Sequence, residues 1–96
     1  MKYQLCQNVT LEQVCGTNLL IAYGEALQRF DYVRVLNEVG ADILAMVEKG
    51  NDAEEIIQDI SKLYEMDAED IRPGILRFLD EMETIGYLLP LAGGEK

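Results

Sequence analysis

Eighteen carboxylates, two cysteines and no histidine are the raw material for chemistry in this chain of 96 residues. With no histidine, and with Cys6 and Cys15 lacking the close spacing of a metal-ligand pair, the chain has neither the donors of a zinc site nor the base of a Cys–His nucleophile. Two cysteines are also too few for a disulfide scaffold, which fits a reducing compartment. General acid–base work needs two carboxyls held across one pocket. Here the acids fall on stretches that read as exposed helix, where their ordinary role is solvation. The composition argues against an enzyme and calls for no cofactor.

The charges divide the chain in two. Residues 1–37 balance Lys2, Arg29 and Arg34 against Glu12, Glu25 and Asp31, and the remainder holds five basic and 15 acidic residues, the whole of the formal −10. Such a surface repels a phosphate backbone, so nucleic acid is not an expected partner. The excess acid is either a solvated face or a docking surface for a basic partner. No stretch approaches the ~20 apolar residues that cross a bilayer, and Met1–Gln7 has no long apolar core, so no membrane partner is expected and the location should be cytoplasmic. At this length the chain is read as a single domain over 1–96, able to bury roughly 65% of its unfolded surface. That leaves little room for a deep substrate cavity.

The elements that must position any site change character at Leu36-Asn37. Before it, Val9–Val14 partly alternates, Cys15-Gly16-Thr17-Asn18 supplies turn chemistry, and Leu19–Tyr23 completes a hairpin. Glu25–Phe30 reads as a connector, and Tyr32–Leu36 as a third short strand. Its parity is awkward, because Val33 and Val35 share one face while Arg34 falls with Leu36. A buried Arg would be costly, so this strand should lie at an edge where Arg34 reaches water.

After the junction the period is helical and no further strand is expected. Asn37 caps a helix that Gly50-Asn51 stops, and Asp52 with Glu55 forms a capping-box-like start to a second. Asp67 caps a third, in which Pro73-Gly74 implies a kink or a helix that effectively begins at Pro73. Ile71, Ile75, Phe78, Met82 and Ile85 recur at helical spacing as its core stripe, ended by Gly86. With Ile71 at zero and 100° per residue, Leu79 lies about 80° and Leu76 about 140° away, with Arg72 and Glu83 between them. This flank either widens the core contact or forms one wall of a hydrophobic groove.

Leu36, Asn37, Gly40, Ile43 and Leu44, then Ile56, Ile60 and Tyr64, then Phe78, Leu79, Met82, Gly86, Tyr87 and Leu88 form an ordered set over about residues 9–89 that resembles the PqqD-like family. The resemblance implies an α+β, winged-helix-like domain with three short N-terminal β-strands followed by a three-helix bundle. It also implies a non-catalytic recognition element that binds the leader segment of a ribosomally made precursor peptide and presents it to a modifying enzyme, often a radical S-adenosylmethionine maturase. In that family the leader adds as a strand to the third strand and packs against the third helix, which is β-augmentation. Carried onto this chain, the peptide-binding residues are Tyr32, Val33, Arg34, Val35, Arg72, Leu76, Leu79 and Glu83. Arg34 and Arg72 stand out as local positive charge suited to an acidic leader residue. The free strand edge would also permit strand exchange between two copies as a homodimer. The alternatives are a winged-helix transcriptional regulator or another protein-interaction module. The regulator needs a basic recognition helix, whereas Ile75–Ile85 sets Arg77 alone against Asp80, Glu81 and Glu83.

Overall fold

Residues 2–30 and 33–91 are described in the computed structural model, and they open on a strand, β1 (Lys2–Leu5), that nothing in the local sequence announces. Next comes the expected hairpin of β2 (Val9–Val14) and β3 (Thr17–Ala22), with Val14 opposite Thr17 and Val9 opposite Ala22. Its two turn residues, Cys15 and Gly16, take φ of 51° and 80°. Two successive left-handed positions match the twist of the flanking strands, the geometry a two-residue hairpin favours. The expected connector contains a short 3-10 helix, Gly24–Gln28, which leads to β4 (Arg34–Leu36). β4 is shorter than the strand read from the sequence, and Tyr32 lies outside the described residues. The sheet order is β2-β3-β4, with Leu20 opposite Arg34, Leu19 opposite Val35 and Asn18 opposite Leu36.

Three helices follow, each started by the cap the sequence supplies. The Asn37 side chain accepts the Gly40 N–H at 2.7 Å and opens α1 (Glu38–Glu48). α2 (Ala53–Tyr64) begins with a complete capping box, Asp52 and Glu55 each accepting the other's backbone N–H at 2.8 Å. Reciprocal capping of this kind satisfies two N–H groups that the helix itself cannot. Asp67 caps α3 (Ala68–Ile85), which runs through Pro73 rather than starting there. Gly86 then ends it in a left-handed conformation, φ 111°, with the Arg29 guanidinium donating to its carbonyl at 3.3 Å.

The chain returns to strand after α3, which corrects the expectation that none would follow. β5 (Leu88–Leu91) pairs antiparallel with β1, Leu5 opposite Leu88 and Tyr3 opposite Pro90. Pro90 cannot donate to a ladder, and in a two-stranded sheet it needs only to face outward. The α+β arrangement of N-terminal strands followed by three helices stands, with this second small sheet joining the chain ends.

β5 packs against α3, and the buried face of that helix differs from the expected stripe. Ile75, Leu79 and Met82 are buried, whereas Ile85 is exposed and Phe78 and Ile71 are only half-buried. Leu79 is therefore a core residue, corrected from its expected place on a groove wall, and it joins Leu20, Leu44, Ile56, Ile57, Tyr87 and Leu88 among the fully buried side chains. Phe30 stacks on Tyr87 with ring centroids 4.1 Å apart, which ties the segment before β4 to the end of α3.

Candidate functional site

The hairpin turn fixes which backbone groups of β4 are available. Val14 and Thr17 flank a two-residue turn and form a hydrogen-bonded pair, so the N–H and C=O groups of Thr17, Leu19 and Ile21 point to β2. Those of Asn18 and Leu20 then point to β4, where their partners Leu36 and Arg34 point back. Val35 is left with its N–H and C=O directed away from β3. Among the described residues no strand pairs with that side of β4. The Val35 side chain is 68% exposed and that of Val33 is 50% exposed. Two valines and an outward amide make an open, apolar, hydrogen-bonding edge.

Arg34 resolves the parity conflict at this edge. It shares the inner face with buried Leu36 but is only half-buried, and its guanidinium lies 5.6 Å from the Tyr87 ring centroid. The aromatic face accepts the charge where burial among aliphatic groups would not.

An apolar groove begins where β4 ends. Asn37, Val39, Gly40 and Ile43 form one side, Ile60, Tyr64 and Met66 the base and far end, and Ile71, Gly74, Ile75 and Phe78 of α3 the other side. Its volume is about 390 Å³. Gly40 sets its width: a Cβ there would stand 3.3 Å from Phe78 Cε1 and Cζ and 3.0 Å from the capping Asn37 Oδ1. At Gly74 a Cβ would meet nothing within 4 Å, so the absence of a side chain there leaves open space on the α3 wall. The Tyr64 hydroxyl donates to Asp42 Oδ2 at 2.5 Å, and that bond to a carboxylate, ahead of burial and the Asp42 and Glu38 charges, pushes the phenol up to about 12.

The residues expected from the sequence are only partly brought together. Val33, Arg34 and Val35 lie on or beside the edge, and Tyr32 falls outside the described residues. Arg72, Leu76 and Glu83 occupy the flank of α3 opposite the groove, with Leu76 about 160° around the helix from Phe78. Arg72 is held there by Glu54 of α2, Nη1 to Oε1 at 2.6 Å and Nη2 to Oε2 at 3.1 Å, with Glu69 adding a contact at 3.4 Å. Glu83 lies towards β1: burial foremost, then the Glu83 and Asp80 charges, raises the Tyr3 phenol above its ordinary value. Arg34, near Tyr87, and Arg72, in the second turn of α3, are set apart by roughly 20 Å of helix, so they do not form a pair for one carboxylate. The wall of the groove opposite α1 includes Phe78 and Gly74. Two signals for it were in the sequence, Gly40 behind an N-cap and Gly74 inside a helix.

Arg72 therefore carries a prediction distinct from leader contact. Hydrogen bonds from Arg72, foremost, and from Gln58 hold the Glu54 carboxyl down to about 2. A depressed carboxyl contributes stability above its unfolded value and loses it as pH falls towards the folded one. This exposed pair should thus be intact at neutral pH and released between about pH 4 and 2. In Arg72→Ala, a carboxyl-carbon NMR titration should return Glu54 to the ordinary carboxylate range, with peptide affinity changed less than about twofold.

A second, more polar cleft of about 720 Å³ lies between the β1–β2 turn, the 3-10 helix and β5, lined in part by Gln4, Asn8, Gln28 and Arg29. Cys6 borders it, and burial pushes that thiol above its ordinary value, away from nucleophilic activation. Among the described residues no group of three His, Cys, Asp or Glu stands where a metal ion could be held, and no helix is long and apolar enough to cross a membrane.

A family model described as coenzyme PQQ synthesis protein D (PqqD) matches residues 27–88, from the end of the 3-10 helix through β4 and all three helices. Among solved structures, the one described as TbiB1 in complex with the TbiA(beta) leader peptide superposes with a TM-score of 0.76 at 22% identity, over 93% of this chain and 98% of that one. At that identity the likeness is one of fold. Comparison with curated protein sequences finds no match.

Proposed function

The chain belongs to the PqqD family, and from that premise we propose that it is a non-catalytic adaptor for a ribosomally made precursor peptide. The leader segment of the precursor adds as a strand to the outer edge of β4. Its N–H and C=O groups meet those of Val35, and an apolar side chain enters the groove between Asn37 and Phe78. Backbone bonds of this kind supply affinity for any extended chain, and the groove supplies selection among chains. The observation that carries the reading is the continuity of the two features: the outward amide of Val35 lies two residues from Asn37, where the groove opens. That a protein of similar fold is described in complex with a leader peptide supports it. The held peptide is presented in the cytoplasm to a modifying enzyme, which we assign to the radical S-adenosylmethionine maturases. A second copy of the chain competes for the same edge, so strand exchange into a homodimer is the alternative use of β4.

The experiment is a titration of isotope-labelled protein with a synthetic precursor leader peptide, followed through backbone amide shifts. Changes should concentrate on residues 33–40 and 71–78. Saturable binding whose shifts lie on the Glu54–Asp59 face of α2 would contradict the proposed edge and groove.

A further inference from the structure

The groove is apolar inside and acidic around its mouth. Glu38 and Asp42 stand on its α1 side, Asp42 fixed against the groove residue Tyr64. Glu65 and Asp67 flank Met66 at the far end, and on α3 Asp70 precedes Ile71 while Glu81 follows Phe78 by one turn. All but half-buried Asp42 are exposed. Against these six acids the helical wall offers Arg77, since Arg72 is turned to the opposite flank and bound to Glu54 and Glu69. The positive charge of Arg34 lies at the other end of β4, over Tyr87. The groove thus presents a strongly anionic field at its mouth.

We infer that the guest is selected by charge as well as by shape: the groove takes a large apolar side chain whose neighbours along the peptide are lysine or arginine. This rests on the strand-addition reading and names the chemistry of its ligand. Acids placed around a low-dielectric cleft penalise a guest that brings further acid, because like charges at close range repel and neither can recover full hydration. A basic neighbour gains that field without entering the groove, its aliphatic stem lying along the apolar rim and its head in water. Six of the 15 acids that follow residue 37 thus stand around the groove, while the strand half is neutral.

The test uses two synthetic peptides of equal length with the same alternating valines and a single phenylalanine anchor, flanked by lysines in one and glutamates in the other. Each is titrated into the full chain and followed by amide shifts, at low salt and at about 0.5 M salt, where screening shortens to a few ångströms. The lysine peptide should bind at least about tenfold more tightly at low salt, with shifts on residues 33–40 and 71–78, and the gap should shrink at high salt. Asp70→Asn with Glu81→Gln, both at exposed positions, should narrow the gap several-fold without loss of fold. Equal affinities, or a preference for the glutamate peptide, with shifts still on the edge and groove, would overturn the charge selection and leave strand addition standing. If neither peptide moves those residues, or if lysine-peptide shifts gather on the α2 acids instead, the strand-addition reading falls together with the inference.

Discussion

Replacing Val35 by proline should lower leader affinity by at least about tenfold while leaving the fold in place. The Val35 N–H points away from β3, so proline removes no bond of the β3–β4 ladder, and an outer edge strand is where sheets tolerate it. What disappears is the donor that an added strand needs, and the ring stands where the guest carbonyl must approach. Loss of one such bond is worth about 0.5–1.5 kcal/mol, and the steric exclusion adds to it. Val35→Thr keeps the N–H and should bind within about twofold of the parent. Titration calorimetry reads both variants, with a thermal melt to confirm that each is folded. Proline at this position with undiminished affinity would show that the guest does not pair with β4.

The second large effect is on stability. Leu79 is 0% exposed whereas Leu76, three residues before it, is 45% exposed. Leu79→Ala deletes buried methyl groups from a close-packed interior and should cost about 2–5 kcal/mol. A domain of this size has only about 5–15 kcal/mol of stability in all, so the change is a large fraction of the total. Leu76→Ala should fall within about 0.5 kcal/mol of the parent. Denaturant unfolding of the two variants distinguishes them directly. A small cost for Leu79→Ala, similar to that of Leu76→Ala, would mean that both leucines lie on an exposed flank, as sequence periodicity infers, rather than as observed.

That contrast shows where sequence reasoning reached its limit. The caps of all three helices were legible because each is a local arrangement: Asn37 with Gly40, Asp52 with Glu55, Asp67 with Glu69. The hairpin was legible for the same reason, since Cys15-Gly16 decides its geometry within four residues. The β1–β5 sheet was not. Its pairing joins the two ends of the chain, and Pro90 hides the second strand from any propensity argument. The edge character of β4 followed from the cost of burying Arg34, a physical argument that needed no partner. The groove wall on α3 did not follow, because both flanks of that helix carry apolar residues. Only the positions of α1 and α2 decide between them: Glu54 draws Arg72 and its flank to one side, and Gly40 admits Phe78 on the other. Gly74 was readable as a disturbance of the helix, yet it opens the wall of the groove.

The central claim is strand addition at β4, and amide hydrogen exchange at Val35 tests it most directly. In the free protein this N–H has no ladder partner among the described residues and should exchange rapidly, unlike those of Arg34 and Leu36, which bond to β3. On saturation with leader peptide the Val35 amide should slow by at least about tenfold while its neighbours change less. A Val35 amide that exchanges as fast at saturation as in the free protein would contradict the account.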